Sequence, residues 1–161
     1  MRVMHWLFLV SAALFIVGIA FLVASTRTND ERPAVEAVVT TPVASVQQIM
    51  RGIVGPAANV VFNSVATIIT PNGTEERAPR TAEEWDAVGD SAAALVESGN
   101  LLMLGDRAVD KGDWMTMSRA LMDASRVALK ATEAKNVEAL FGTGETINAS
   151  CENCHQRYQR Q

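Results

Sequence analysis

Both cysteines of the chain stand in one short run, Cys151-Glu152-Asn153-Cys154-His155. On a helix, residues three apart share a side, and the histidine after Cys154 lies on the same turn. One chemistry needs that pattern: two thiols add across the two vinyl groups of a porphyrin edge while the imidazole reaches the iron. The expected cofactor is one covalently attached haem c, held by Cys151 and Cys154, with His155 as fifth iron ligand. Competing readings are weaker. No further cysteine exists to build a disulfide framework. A thioredoxin-like Cys-x-x-Cys wants a strand ahead of it and a helix N-terminus beneath it, whereas this run ends a helical stretch. Structural zinc takes four ligands, and the other histidine, His5, precedes a long apolar segment.

The elements that must position this run are helical in pattern. A first segment, about 43–69, repeats Val46, Met50, Ile53, Val54, Ala57, Val61, Ser64 and Ile68 at helical spacing. Gly55-Pro56 interrupts it, so a kink or a new helical start is expected there. Pro71-Asn72-Gly73 marks its end. A second segment begins at Thr81, with Glu84 three residues on as a capping box, and runs to about Gly105. A third starts after Gly112 with Asp113 as N-cap and carries Trp114, Met117, Leu121, Ala124, Ala128 and Ala131. The fourth, about 136–158, carries Val137, Leu140, Phe141, Ile147, Cys151, Cys154, His155 and Tyr158 on its stripe. No stretch alternates with period two over a useful length. The expected fold is all-α, an antiparallel four-helix bundle over residues 43–161.

Ahead of it, residues 6–24 are nineteen in a row without a charge. They have no polar face, which excludes a core helix, and they span about 28 Å, close to a bilayer's hydrocarbon thickness. Residues 1–25 therefore read as an N-terminal transmembrane anchor or a signal helix. The length favours the anchor, although Val23-Ala24-Ser25 is a passable cleavage site. Residues 26–42, with Pro33 and Pro42, read as a flexible linker. Either reading exports the domain to the periplasmic side of a bacterial inner membrane. The net charge of −4 excludes a generally basic, nucleic-acid-seeking surface. With three Trp, one Tyr and five Phe, the core must rest mainly on Ala, Val, Leu, Ile and Met.

A Cys-x-x-Cys-His on the last of four helical segments, with Tyr158 three residues on and the run Gln47-Gln48-Ile49-Met50 early in the first, resembles the class II c-type cytochromes, the cytochrome c prime family. The resemblance covers about residues 43–158. It implies that the first helix lies over the distal face of the haem, where the residue at Met50 either blocks the sixth coordination position or ligates the iron. Low-spin members use a methionine there and carry electrons; high-spin members stay five-coordinate and bind nitric oxide or carbon monoxide. Two positions depart from the family. Val46 and Gln159 stand where relatives often carry basic residues near the haem, with Arg51 and Arg160 as candidate replacements. The anchor is a third departure.

The leading functional expectation is a tethered periplasmic mono-haem electron carrier, not an enzyme, with Met50 as candidate sixth ligand. The alternative is a five-coordinate gas-binding protein with Met50 as a steric gate. A peroxidase lacks the spare distal acid–base group it would need. Met103, Met115, Met117 and Met122 read as core, and Trp85 and Trp114 as core or haem-packing groups. Expected partners are redox proteins of the periplasm or inner membrane and the membrane itself, with no nucleic acid; a homodimer is compatible with all of this.

Overall fold

The computed structural model describes residues 2–27 and 40–159. Helix α1 (Arg2–Arg27) belongs to one unit and the chain from Thr40 onward to another. Within α1 the window Val3–Val23 has 21 residues and a mean hydropathy of 2.7, and residues 3–23 are exposed. That window spans about 32 Å, enough for the ~30 Å hydrocarbon layer. By length and composition α1 is a membrane anchor or a signal helix. Most of the expected linker (28–39) lies outside the described residues, as does Arg160.

The second unit is mostly helical. Helix α2 (Val46–Ile49), a π-helical turn (Met50–Val54) and α3 (Gly55–Ser64) form one continuous run. A hairpin of β1 (Ala66–Thr70) and β2 (Gly73–Arg77) follows, then α4 (Ala82–Met103), a short 3-10 turn (Gly105–Arg107), α5 (Asp113–Glu133) and α6 (Val137–Tyr158). Local chemistry sets the starts. Ser45 accepts from the Gln48 N–H at 3.2 Å while the Gln48 side chain accepts from the Ser45 N–H at 2.8 Å. Thr81 and Glu84 form the same reciprocal box at the start of α4, as the sequence suggests.

The π-turn has a readable cause. Pro56 has no N–H for the Gly52 carbonyl, and its ring would press on that carbonyl in a straight α-helix. The Gly55 N–H donates to the Met50 carbonyl instead, one residue further back than an α-helix allows. The wider winding brings Ile49 and Val54, five apart, to one buried face; a straight α-helix would hold them about 140° apart.

Helix α3 packs on α4, α4 on α5, and α5 on α6. Ala92, Leu95, Ala128 and Ile147 are fully buried at the centre. Gly99 lets α4 and α5 meet closely, because a Cβ there would lie 2.1 Å from the Met122 Cγ.

Four sequence expectations need correction. The first helical run stops at Ser64 rather than near residue 69, and Ile68 sits in β1. The unit is therefore not purely α. Ala66–Thr70 pairs antiparallel with Gly73–Arg77 across the Pro71-Asn72 turn, where Pro suits the second and Gly the fourth turn position. Gly112, not Asp113, occupies the N-cap position of α5, and the capping carboxylate comes from Asp110. On α6, Val137 and Phe141 are exposed while Leu140, Thr143 and Ile147 face inward.

Candidate functional site

The last two turns of α6 carry Cys151, Cys154 and His155, and the start of the π-turn carries Met50. Met50, Cys154 and His155 line one cleft of about 530 Å3, with Val46, Trp114 and Tyr158 among its walls. A void of about 40 Å3 shares Met50, Cys154 and His155 with the cleft and is bounded also by Leu102, Leu121 and Cys151. All four sequence-chosen residues therefore meet around one space, with α6 on one side and the π-turn on the other. The cleft falls within the roughly 300–1,000 Å3 usual for ligand sites.

Cys151 and Cys154 are half-buried and His155 is exposed at the cleft. Burial pushes the Cys151 thiol up; a hydrogen bond with Ser150 offsets part of this, and the Glu152 charge adds to it. Burial also raises the Cys154 thiol, with Cys151 as second cause. Both side chains are therefore held as neutral thiols near neutral pH.

The wall bearing His155 is fixed by a polar network. The buried Trp114 donates its indole N–H to the Leu102 carbonyl at 2.8 Å, tying α5 to the end of α4. Tyr158 meets Trp114 edge to face, with ring centroids 5.0 Å apart, and donates its hydroxyl to Asp110. Asp110 also accepts from the Gly112 N–H at 2.8 Å and the Trp114 N–H at 3.1 Å. Arg157 pairs with Asp113 at 2.7 Å. One carboxylate thus caps α5 and holds the last turn of α6. The Tyr158 hydrogen bond, then the Trp114 N–H, keep the Asp110 carboxyl below its ordinary range.

No family model matches the chain, nor does any curated protein or solved structure.

Val46 and Gln159, the two positions where the sequence departs from the resemblance, both line the cleft, and so does Arg51. Among the other candidates, Trp85 and Met122 are buried, Met103 and Met115 are half-buried, and Met117 borders the void. Sequence reading missed Asp110. Its only local signal is a carboxylate four residues ahead of Trp114, and its partner Tyr158 is 48 residues away. A second groove of about 410 Å3, around Phe62 and Phe141, lies between α3 and α6 and contains none of the candidate residues.

Proposed function

We propose that this chain is a membrane-tethered mono-haem c-type cytochrome that carries electrons on the periplasmic side of a bacterial inner membrane. The observation that supports it best is that Met50, Cys154 and His155 line one cleft, with Cys151 in the lining of the void that shares all three. Methionine is a soft thioether donor and imidazole a nitrogen donor, the pair that raises the potential of a cytochrome iron. The residues present fit the group: two thiols three apart on one helical turn, an exposed imidazole beside them, and apolar walls from Val46, Val54, Leu102 and Trp114. When bound, the haem supplies a one-electron couple.

The chain's own residues do the rest. Cys151 and Cys154 would hold the cofactor covalently, and His155 and Met50 would be the protein ligands to its iron. Trp114 and Tyr158 keep the α6 side of the cleft in place, and Val46 and Leu102 keep water from its interior. In this reading the run α2–α3 and helices α4, α5 and α6 form an antiparallel four-helix bundle, the architecture the class II resemblance implies. Anchoring by α1 confines the domain near membrane-bound redox partners and raises its effective concentration there.

The test is the visible spectrum of the reduced protein with and without carbon monoxide, on material purified from the membrane fraction. A low-spin spectrum that carbon monoxide barely alters supports the carrier. A high-spin spectrum with ready carbon monoxide binding moves the reading to gas binding. Absence of covalent haem after denaturing electrophoresis ends both readings.

A further inference from the structure

The π-turn decides which of two neighbouring residues fills the core and which faces the cleft. Ile49 is 2 % exposed and packs with Val54 in the core, while Met50 is half-buried and lines the cleft. Were α3 to run back as a straight α-helix from Val54, every position ahead of the turn would rotate by nearly one residue step, about 100°. Met50 would then point where Ile49 points now, and Ile49 would face outward. In that register Met50 is an ordinary core methionine; in the observed one it is free to meet a ligand.

Two residues maintain the observed register. Pro56 cannot donate the α-helical hydrogen bond to Gly52 and disfavours the α winding. Gly55 allows the alternative, because a Cβ at that position would lie 3.0 Å from the Met50 carbonyl oxygen that accepts the π hydrogen bond. The turn costs the helix its regular ladder, and turns of this kind recur at functional sites.

We propose that Gly55 and Pro56 are positioning residues that turn Met50 out of the core and toward the iron position beside His155. The inference rests on the haem reading, and it assigns these two residues a role that neither contacts nor chemistry at the cleft gives them.

The experiment follows the Met50 methyl resonance in the reduced, haem-loaded protein, assigned by its loss in Met50→Leu. A methyl near the haem face is displaced far upfield by the ring current. The double variant Gly55→Ala/Pro56→Ala restores both a Cβ and an N–H, so the helix reverts to α winding and the Met50 methyl returns to the ordinary methionine region. Deleting Gly52 in that variant removes the extra residue, brings Ile49 and Val54 to a four-residue spacing, and restores the upfield shift. A double variant that retains the shift overturns the inference and leaves the haem reading intact. So does a deletion that fails to rescue, or a wild-type methyl that is never shifted. A wild type without covalent haem overturns the parent reading, and this one with it.

Discussion

The two walls of the cleft are held by different forces. The α6 wall is polar and cross-linked: Trp114, Tyr158 and Asp110 join α4, α5 and the last turn of α6 through directed hydrogen bonds. Among the described residues, a side-chain hydrogen bond ties the Met50 wall to another element only at its start, where Arg107 donates to the Ala44 carbonyl at 2.8 Å. From Ile49 onward it rests on apolar packing and on the winding of one turn. Directed bonds fix a position, whereas packing tolerates rotation of a helical segment. On the haem reading proposed above, the difference suits a site in which the histidine ligand is fixed and the methionine is set by register, the point at which electron carriers and gas binders diverge.

If the proposed haem is bound, the largest effect expected on either wall is its loss. Cys151→Ala or Cys154→Ala, expressed in a host that matures c-type cytochromes, should yield no stable covalent holo-protein, read as absence of haem stain after denaturing electrophoresis. Normal staining of either variant would show that the polar wall does not carry the attachment.

Next in size is the other wall. Met50→Ala should leave covalent attachment intact, turn the ferric spectrum high-spin and open the haem to carbon monoxide. An unchanged spectrum would mean that the packed wall supplies no ligand, and the contrast between the walls would lose its functional meaning.

How far the sequence reveals this contrast depends on the range of the interactions. The Thr81–Glu84 box, the Trp114-to-Ala131 stripe of α5 and the Cys151–Cys154–His155 cluster are legible because each is set within a few residues. The break at Gly55-Pro56 is legible as a break, but its resolution as a π-turn is not. Gly55 and Pro56 disfavour α winding there, but the choice of a π-turn over a kink also requires burying Ile49 and Val54 together, which is a tertiary demand. The hairpin hides because Ile68 and Ile69 are adjacent and Ile68 continues the spacing of Val61 and Ser64, so a period of two never emerges. Asp110 hides because Tyr158 reaches it from the far end of the domain. Phe141 sits at helical spacing with Leu140 and Ile147, yet it is 61 % exposed, since periodicity marks a stripe but not its edge.

A smaller effect tests whether the polar wall is held by its directed bonds. Trp114→Phe keeps most of the buried ring but leaves the Leu102 carbonyl without its donor. An unsatisfied buried carbonyl costs about 1–3 kcal/mol. Chemical denaturation of the holo-protein should show a loss of that order, while the spectrum of the Met50 side stays unchanged. A neutral result would reduce the wall to packing and make the two walls alike.

The smallest effect is the most specific to the network, because Asp110 is the carboxylate on which its hydrogen bonds converge. Its carboxylate accepts from the Tyr158 hydroxyl and from the N–H groups of Trp114 and Gly112, and these bonds favour the ionised form. The folded-state value therefore lies below that of the unfolded chain, which is about 3.9 for an aspartate. Stability from this difference is present in full above the unfolded value and is lost as pH falls through the folded one. Between about pH 6 and about pH 3, the thermal midpoint of the wild type should therefore fall more steeply than that of Asp110→Asn. Tyr158→Phe removes the first of the three donors, so its slope should lie between the two. The difference will be modest, because Asp110 is half-exposed and water screens part of the interaction. Parallel curves for all three proteins would show that the carboxylate acts only as a neutral cap for α5. A shallower wild-type curve would reverse the sign and remove charge from the account of how the last turn of α6 is held.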